Sequence, residues 1–166
     1  MIESLSRQLP QPEYLHVLLN PLPVYGLAIA LFGLIAALYL GTRGGQLTAL
    51  VLVFACAASA WPVAHYGEAA EDRVHVLADE DGSAWLKAHA QRADKLIYAF
   101  YALALLSAAA IFVPKKWPRT ARPLVLATMA LALVSLGAGG YIAFAGGKIR
   151  HREFRSGPPP KTTEPP

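Results

Sequence analysis

The sequence predicts an all-α membrane protein: a four-transmembrane-helix, up-down-up-down bundle in which helices two and three extend out of the bilayer as a hairpin. Three observations predict it. Hydrophobic residues form 55% of the 166-residue chain and charged residues only 16%, where soluble domains carry roughly 25% charge. Four runs free of Lys, Arg, Asp and Glu lie at 22–40, 47–66, 96–113 and 124–147, and at about 1.5 Å per residue each covers the roughly 30 Å of a bilayer's hydrocarbon. The joints after the first and third runs are short, which makes neighbouring helices antiparallel.

The chain divides into an N-terminal segment (1–20), a four-helix transmembrane domain (21–147) and a basic, then proline-rich tail (148–166). The first residues lack the basic start and apolar run of a cleaved signal, so the N-terminus is expected to be retained. Pro21 and Pro23 suit the first turn of a helix, where a missing N–H costs nothing, so His16 is placed at the mouth of span one. Gly26, Ala30, Gly33 and Ala37 give that span a flat face for close helix approach. GTRGGQ is a tight reversal into span two, which Pro62 should kink about one turn before the water. The lone Cys56 lies inside an apolar run and reads as a packed thiol.

Between spans two and three, 67–95 reads as a polar hairpin. GEAAEDRVHVL continues the helix out of the lipid to about Leu77. A turn over Asp79 to Gly82 follows, and Asp81 or Ser83 caps the returning helix, which carries Trp85, His89, Arg92 and Asp94. Folding about that turn sets Asp72 near His89. The loop from Pro114 to Pro123 is wholly basic and holds Trp117. Span four carries Ser135, Gly139, Ala143 and Gly147 every four residues, the clearest small-xxx-small run in the chain. The closing GPPPKTTEPP has nothing to bury and is expected to be extended or disordered.

The short loops hold Arg43, Lys115, Lys116, Arg119 and Arg122 and no acid, which predicts that they are cytoplasmic and that both termini and the 67–95 hairpin are on the outer, periplasmic side. The net charge of +4 marks span ends rather than one face, so nucleic acid is not an expected partner. Expected partners are the lipid bilayer and either further subunits of a membrane complex or a second copy of the chain.

The five histidines gather at the outer end. Glu68, Asp72 and His75 share a helix face with His65 one turn below Glu68. That predicts a site in which His65, His75, His89 and His16 bind a cofactor, or in which His65, Glu68, Asp72, His75 and His89 hold a transition metal. The competing reading is an interfacial hairpin whose acids and histidines are merely solvated and paired with Arg73, Arg92 and Lys95. Mid-span stretches carry no ionisable pump residues, and no nucleophile elbow or phosphate loop is present, so no catalytic residue is assigned.

His16 and Pro23 match an HPxxxHFP-type opening that Pro21 breaks where a second histidine would fall, and Gly146, Gly147 and His151 match a glycine pair and histidine after span four. Gly67, Glu68, Ala70, Glu71, Asp72, Val74 and His75, then Ala88, His89 and Ala93, follow a GEPAEE/EAHEEAAE-type connecting segment. On these motifs the chain resembles a bacterial family of small four-helix inner-membrane proteins catalogued as a domain of unknown function. The resemblance covers about His16 to His151. It implies the bacterial inner membrane, and its paired histidines imply a bound haem b or metal; the expected function is then that of a small membrane redox protein whose outer end serves electron transfer. The alternative is a non-catalytic accessory or structural subunit.

Overall fold

The computed structural model describes residues 11–159. The start of the N-terminal segment (1–10) and the end of the proline-rich tail (160–166) lie outside the described residues, and with them the expectations of a retained N-terminus and a disordered tail end.

Helices supply the whole architecture, with no strand among the described residues: α1 (Pro12–Leu19), α2 (Leu27–Tyr39), α3 (Arg43–Ala58), α4 (Ala60–Leu77), α5 (Glu80–Phe112) and α6 (Ala121–Arg150). Joined end to end they make four rods, Pro12–Tyr39, Arg43–Leu77, Glu80–Lys115 and Pro118–Arg150, each long and apolar enough to cross a membrane. Only 22% to 33% of each rod's most apolar window is buried, so most of the apolar surface, including Ile29, Phe32, Leu105 and Leu133, faces outward. Water-soluble chains rarely carry such a belt.

The breaks within rods follow from missing backbone donors. The first rod begins at Pro12 rather than at Pro21, so Pro12, not the predicted pair, fills the first helical turn. Pro21 and Pro23 instead fall inside the rod. Lacking N–H groups, they interrupt the ladder, which widens into a π-helical turn over Leu22–Gly26, where the Leu27 N–H reaches back to the Leu22 carbonyl. In the second rod Pro62 cannot donate to the Ala58 carbonyl, and the helix is interrupted at Ser59. The first reversal is a Schellman end: Gly41, at φ +68°, bonds to the Leu38 carbonyl and Thr42 to the Ala37 carbonyl.

The reversal between the second and third rods is shorter than predicted. Asp79, not Asp81 or Ser83, is the cap: its carboxylate accepts the Gly82 N–H at 2.8 Å, and α5 starts at Glu80. A Cβ on Gly82 would lie 2.6 Å from both Asp79 Oδ1 and the Ile149 carbonyl, which explains glycine there. Arg155, past the end of α6, donates to Asp79 at 2.9 Å and to the Lys148 and Ile149 carbonyls, tying the last basic residues to this turn.

Contacts between the rods run in falling register. On the first and second rods His16 meets Val63, Gly26 meets Cys56 and Ala37 meets Gly45. On the third and fourth, Asp79 meets Arg155, His89 meets Gly146 and Ala99 meets Ser135. The interior is filled by Leu27, Leu34, Leu50, Leu103 and Val125, each fully buried. Its buried hydroxyls, Ser107, Thr128 and Ser135, donate to the carbonyl four residues earlier and so need no other partner. A second cluster of Trp85, Leu86, Ala88, Ala145 and Ile149 extends the packing beyond the apolar spans. There α4 packs more closely on α1 than on α5, so the protruding segments of rods two and three pair chiefly with rods one and four.

Candidate functional site

That pairing turns two histidines inward. His16, on α1, lies across Gly67 of α4, with its Nδ1 2.8 Å from the Val63 carbonyl. His89, on α5, lies across Gly146 of α6, with its Nδ1 3.0 Å from the Ile142 carbonyl. A carbonyl only accepts, so each Nδ1 carries the proton and in the neutral ring each Nε2 keeps its lone pair. The ring centres stand 6.2 Å apart with planes at 87°.

The glycines make this possible. A Cβ at Gly67 would fall 2.8 Å from His16 Nδ1 and 3.0 Å from Cε1, and one at Gly146 would fall 3.1 Å from the same two atoms of His89. Each imidazole therefore lays its Nδ1–Cε1 edge on a neighbouring helix at a spot with no side chain.

The rings separate two spaces. Beneath them is a chamber of about 70 Å³ with an apolar wall that includes Val24, Phe100 and Ile142. Above them an outer cleft of about 270 Å³ is bordered by Glu13, Glu71 and Arg150. Glu13 pairs with Arg73 through Oε1 at 3.0 Å, while its Oε2 is buried with no hydrogen-bond partner. His89 precedes the third apolar run, and burial holds its imidazole below the ordinary pKa against the opposing effect of the Ile142 carbonyl.

The lining repeats itself. His16, Asn20 and Val24 recur at one constant offset as His89, Ala93 and Ile97. Ala60, Val63 and Ala64 recur at another as Gly139, Ile142 and Ala143, with Gly67 answered by Gly146. Each half is a helical hairpin presenting one histidine over one glycine.

Of the residues predicted for the site, the structure brings His16 and His89 together and leaves the others outside. His65 is exposed and stacks on Trp61 at 5.6 Å. Glu68, Asp72 and His75 do share a face of α4, but that face is exposed. Glu71, unremarked as a ligand, is the α4 acid at the outer cleft. His75 borders a separate groove with Glu71, Lys87 and Asp94. Among the described residues no three His, Cys, Asp or Glu side chains gather as a metal site, so the expected five-residue set does not assemble. Of the arginines, Arg73 is held by Glu13, and Arg92 donates to the Tyr141 carbonyl with its guanidinium 3.8 Å above that ring. His151 is exposed beside Glu153. The sequence reading missed Gly67 and Gly146 as the partners of the rings. The signal was present in VAHYG and IAFAG, a β-branched residue and alanine followed three positions later by glycine.

Haem b, which the resemblance implies, suits the donors better than the space. Two neutral imidazoles are what the axial positions of a haem iron need. A chamber of about 70 Å³ is far below the roughly 300 Å³ and more of pockets that bury organic ligands of ordinary size. In this closed packing the macrocycle does not fit.

The fold and site define a class: an all-α protein with four rods able to cross a membrane and an inward-facing histidine pair at one end. Compared with protein-family models, curated proteins and solved structures, the chain matches none.

Proposed function

We propose that this chain is a small multi-pass protein of a bacterial inner membrane, an up-down-up-down bundle with a transition metal between His16 and His89 that serves electron transfer. The single observation that carries the reading is the pair itself: two buried-facing imidazoles 6.2 Å apart, each oriented by a carbonyl bond of the kind that fixes metal-ligating histidines. The falling register of helix contacts and the outward apolar belt support the topology and the insertion. The basic short loops favour a periplasmic site.

Protein purified in mild detergent from cells replete in iron and copper, then analysed for metals and by absorption spectroscopy, tests the reading. One metal per chain, lost in both His16→Ala and His89→Ala, is expected. Metal-free and haem-free protein would overturn it.

One observation favours a second reading, an accessory subunit of a larger membrane complex. Gly137 and Gly140 face outward on α6, and a Cβ at either would meet nothing within 4 Å, which leaves a flat patch for another helix. A stoichiometric partner co-purifying with metal-free protein is its signature.

A further inference from the structure

We infer that the His16–His89 site takes one bare monovalent ion, copper(I), held end to end between the two imidazoles; this rests on the metal-site reading above and names the ion. Distance is the first argument. Two imidazoles bound on opposite sides of one ion, with metal–nitrogen bonds of about 2.0 Å and ring centres about 1.1 Å behind each nitrogen, have centres about 6.2 Å apart. The observed separation is 6.2 Å. The repeat is the second argument. Equivalent helical hairpins present equivalent rings, and in both the Nδ1–Cε1 edge is taken up by a glycine and a carbonyl. With each Nδ1 spent on a carbonyl, the lone pair that remains for a metal is the one on Nε2.

Donor count and charge then select the ion. Zinc and divalent iron ordinarily need three or four protein ligands, and among the described residues no such group exists. The wall of the chamber holds no acid. The cost of bringing charge out of water grows with its square, about fourfold from a monovalent to a divalent ion, and that wall holds no carboxylate to offset it. Copper(I) is monovalent, binds imidazole, and is satisfied by two opposed ligands. An ion needs no more room than the 70 Å³ provides, which the macrocycle exceeds. Glu13 and Glu71 border the outer cleft, the Glu13 carboxylate being paired with Arg73.

The test is an anaerobic titration of the full chain in detergent micelles with copper(I) against the chromogenic chelator bicinchoninate, run beside zinc(II) and haemin. One copper(I) per chain is expected, with two short nitrogen scatterers in X-ray absorption, no retained zinc and no Soret band. His16→Ala and His89→Ala should each weaken binding by about 100-fold or more. Because alanine could unsettle the packing, His89→Gly supplemented with free imidazole provides the control, and recovery of copper binding is expected. One haem per chain, or retained zinc, that disappears in His89→Ala would overturn the copper(I) assignment while leaving the histidine-pair reading intact. Copper(I) affinity unchanged in both alanine variants would overturn the location. Failure to bind any of the three would overturn this inference and the proposed function together.

Discussion

Gly67→Ala isolates the contact on which the histidine pair depends. The added Cβ would stand 2.8 Å from His16 Nδ1 and 3.0 Å from Cε1, where unstrained heavy-atom contacts lie at about 3.5–4.0 Å. The ring must therefore move away by roughly 0.7 Å, and it is not a free end, because its Nδ1 is bonded to the Val63 carbonyl at 2.8 Å. Losing that bond costs about 0.5–1.5 kcal/mol, and crowding a packed site costs about 1–3 kcal/mol. Against this, alanine gains up to about 1 kcal/mol over glycine in a helix interior. The net is a loss of roughly 0.5–3.5 kcal/mol. Gly137, with nothing within 4 Å, keeps only the gain, so the same substitution there should stabilise by up to about 1 kcal/mol. Gly146→Ala should fall between, since its Cβ would lie 3.1 Å from His89. Unfolding in detergent micelles followed by far-ultraviolet circular dichroism ranks the three variants. In a His16→Ala background the penalty at Gly67 should vanish. A Gly67→Ala protein as stable as Gly137→Ala, or a penalty that persists without the ring, would refute the reasoning.

Two further outcomes follow from the geometry. Gly139→Leu should loosen the bundle, because even a Cβ there would lie 3.1 Å from Val24 and 3.2 Å from Phe100; overpacking of about 1–3 kcal/mol lowers Tm by roughly 3–10 °C, and an unchanged melting curve would count against it. The Arg155 hydrogen bond, with the Gly82 N–H, holds the Asp79 carboxyl well below the usual carboxylate range, so the unfolded chain takes up the proton first. That contribution is present above the ordinary value of about 3.9 and is lost as pH falls through the lowered folded value. Amides of 148–155 should exchange faster under those acid conditions, and Asp79→Asn should remove the pH dependence.

The four long helices were legible because an apolar run of sufficient length is a signal that needs no partner. Their ends were less so. The absence of their donors suits Pro21 and Pro23 to a helix start, but a π-helical turn absorbs the same absence inside a rod, and the helix starts earlier, at Pro12. The reversal at Ala78 and Asp79 differs from the expected one by a few residues because Asp79, Asp81 and Ser83 all have side chains able to cap a helix there. The guanidinium groups of Arg152 and Arg155, brought back from the far end of the chain, single out Asp79. A contact between residues so distant in sequence leaves no local trace.

The site was half legible for a reason that periodicity itself contains. Glu68, Asp72 and His75 do share a face, but the complementary stripe on the same helix, Val63, Gly67, Ala70 and Val74, is the small and apolar one, and a helix turns that side to its neighbours. Val63 and Ala70 are buried and the acids are exposed. Weighing the apolar stripe before the polar one would have placed α1, and hence His16, against Gly67. The repeated VAHYG and IAFAG would then have placed His89 against Gly146. A ligand pair supplied from separate hairpins is invisible to spacing along either hairpin alone. What spacing can reveal is each half-site's seat, a glycine one helical turn after the carbonyl that orients the ring.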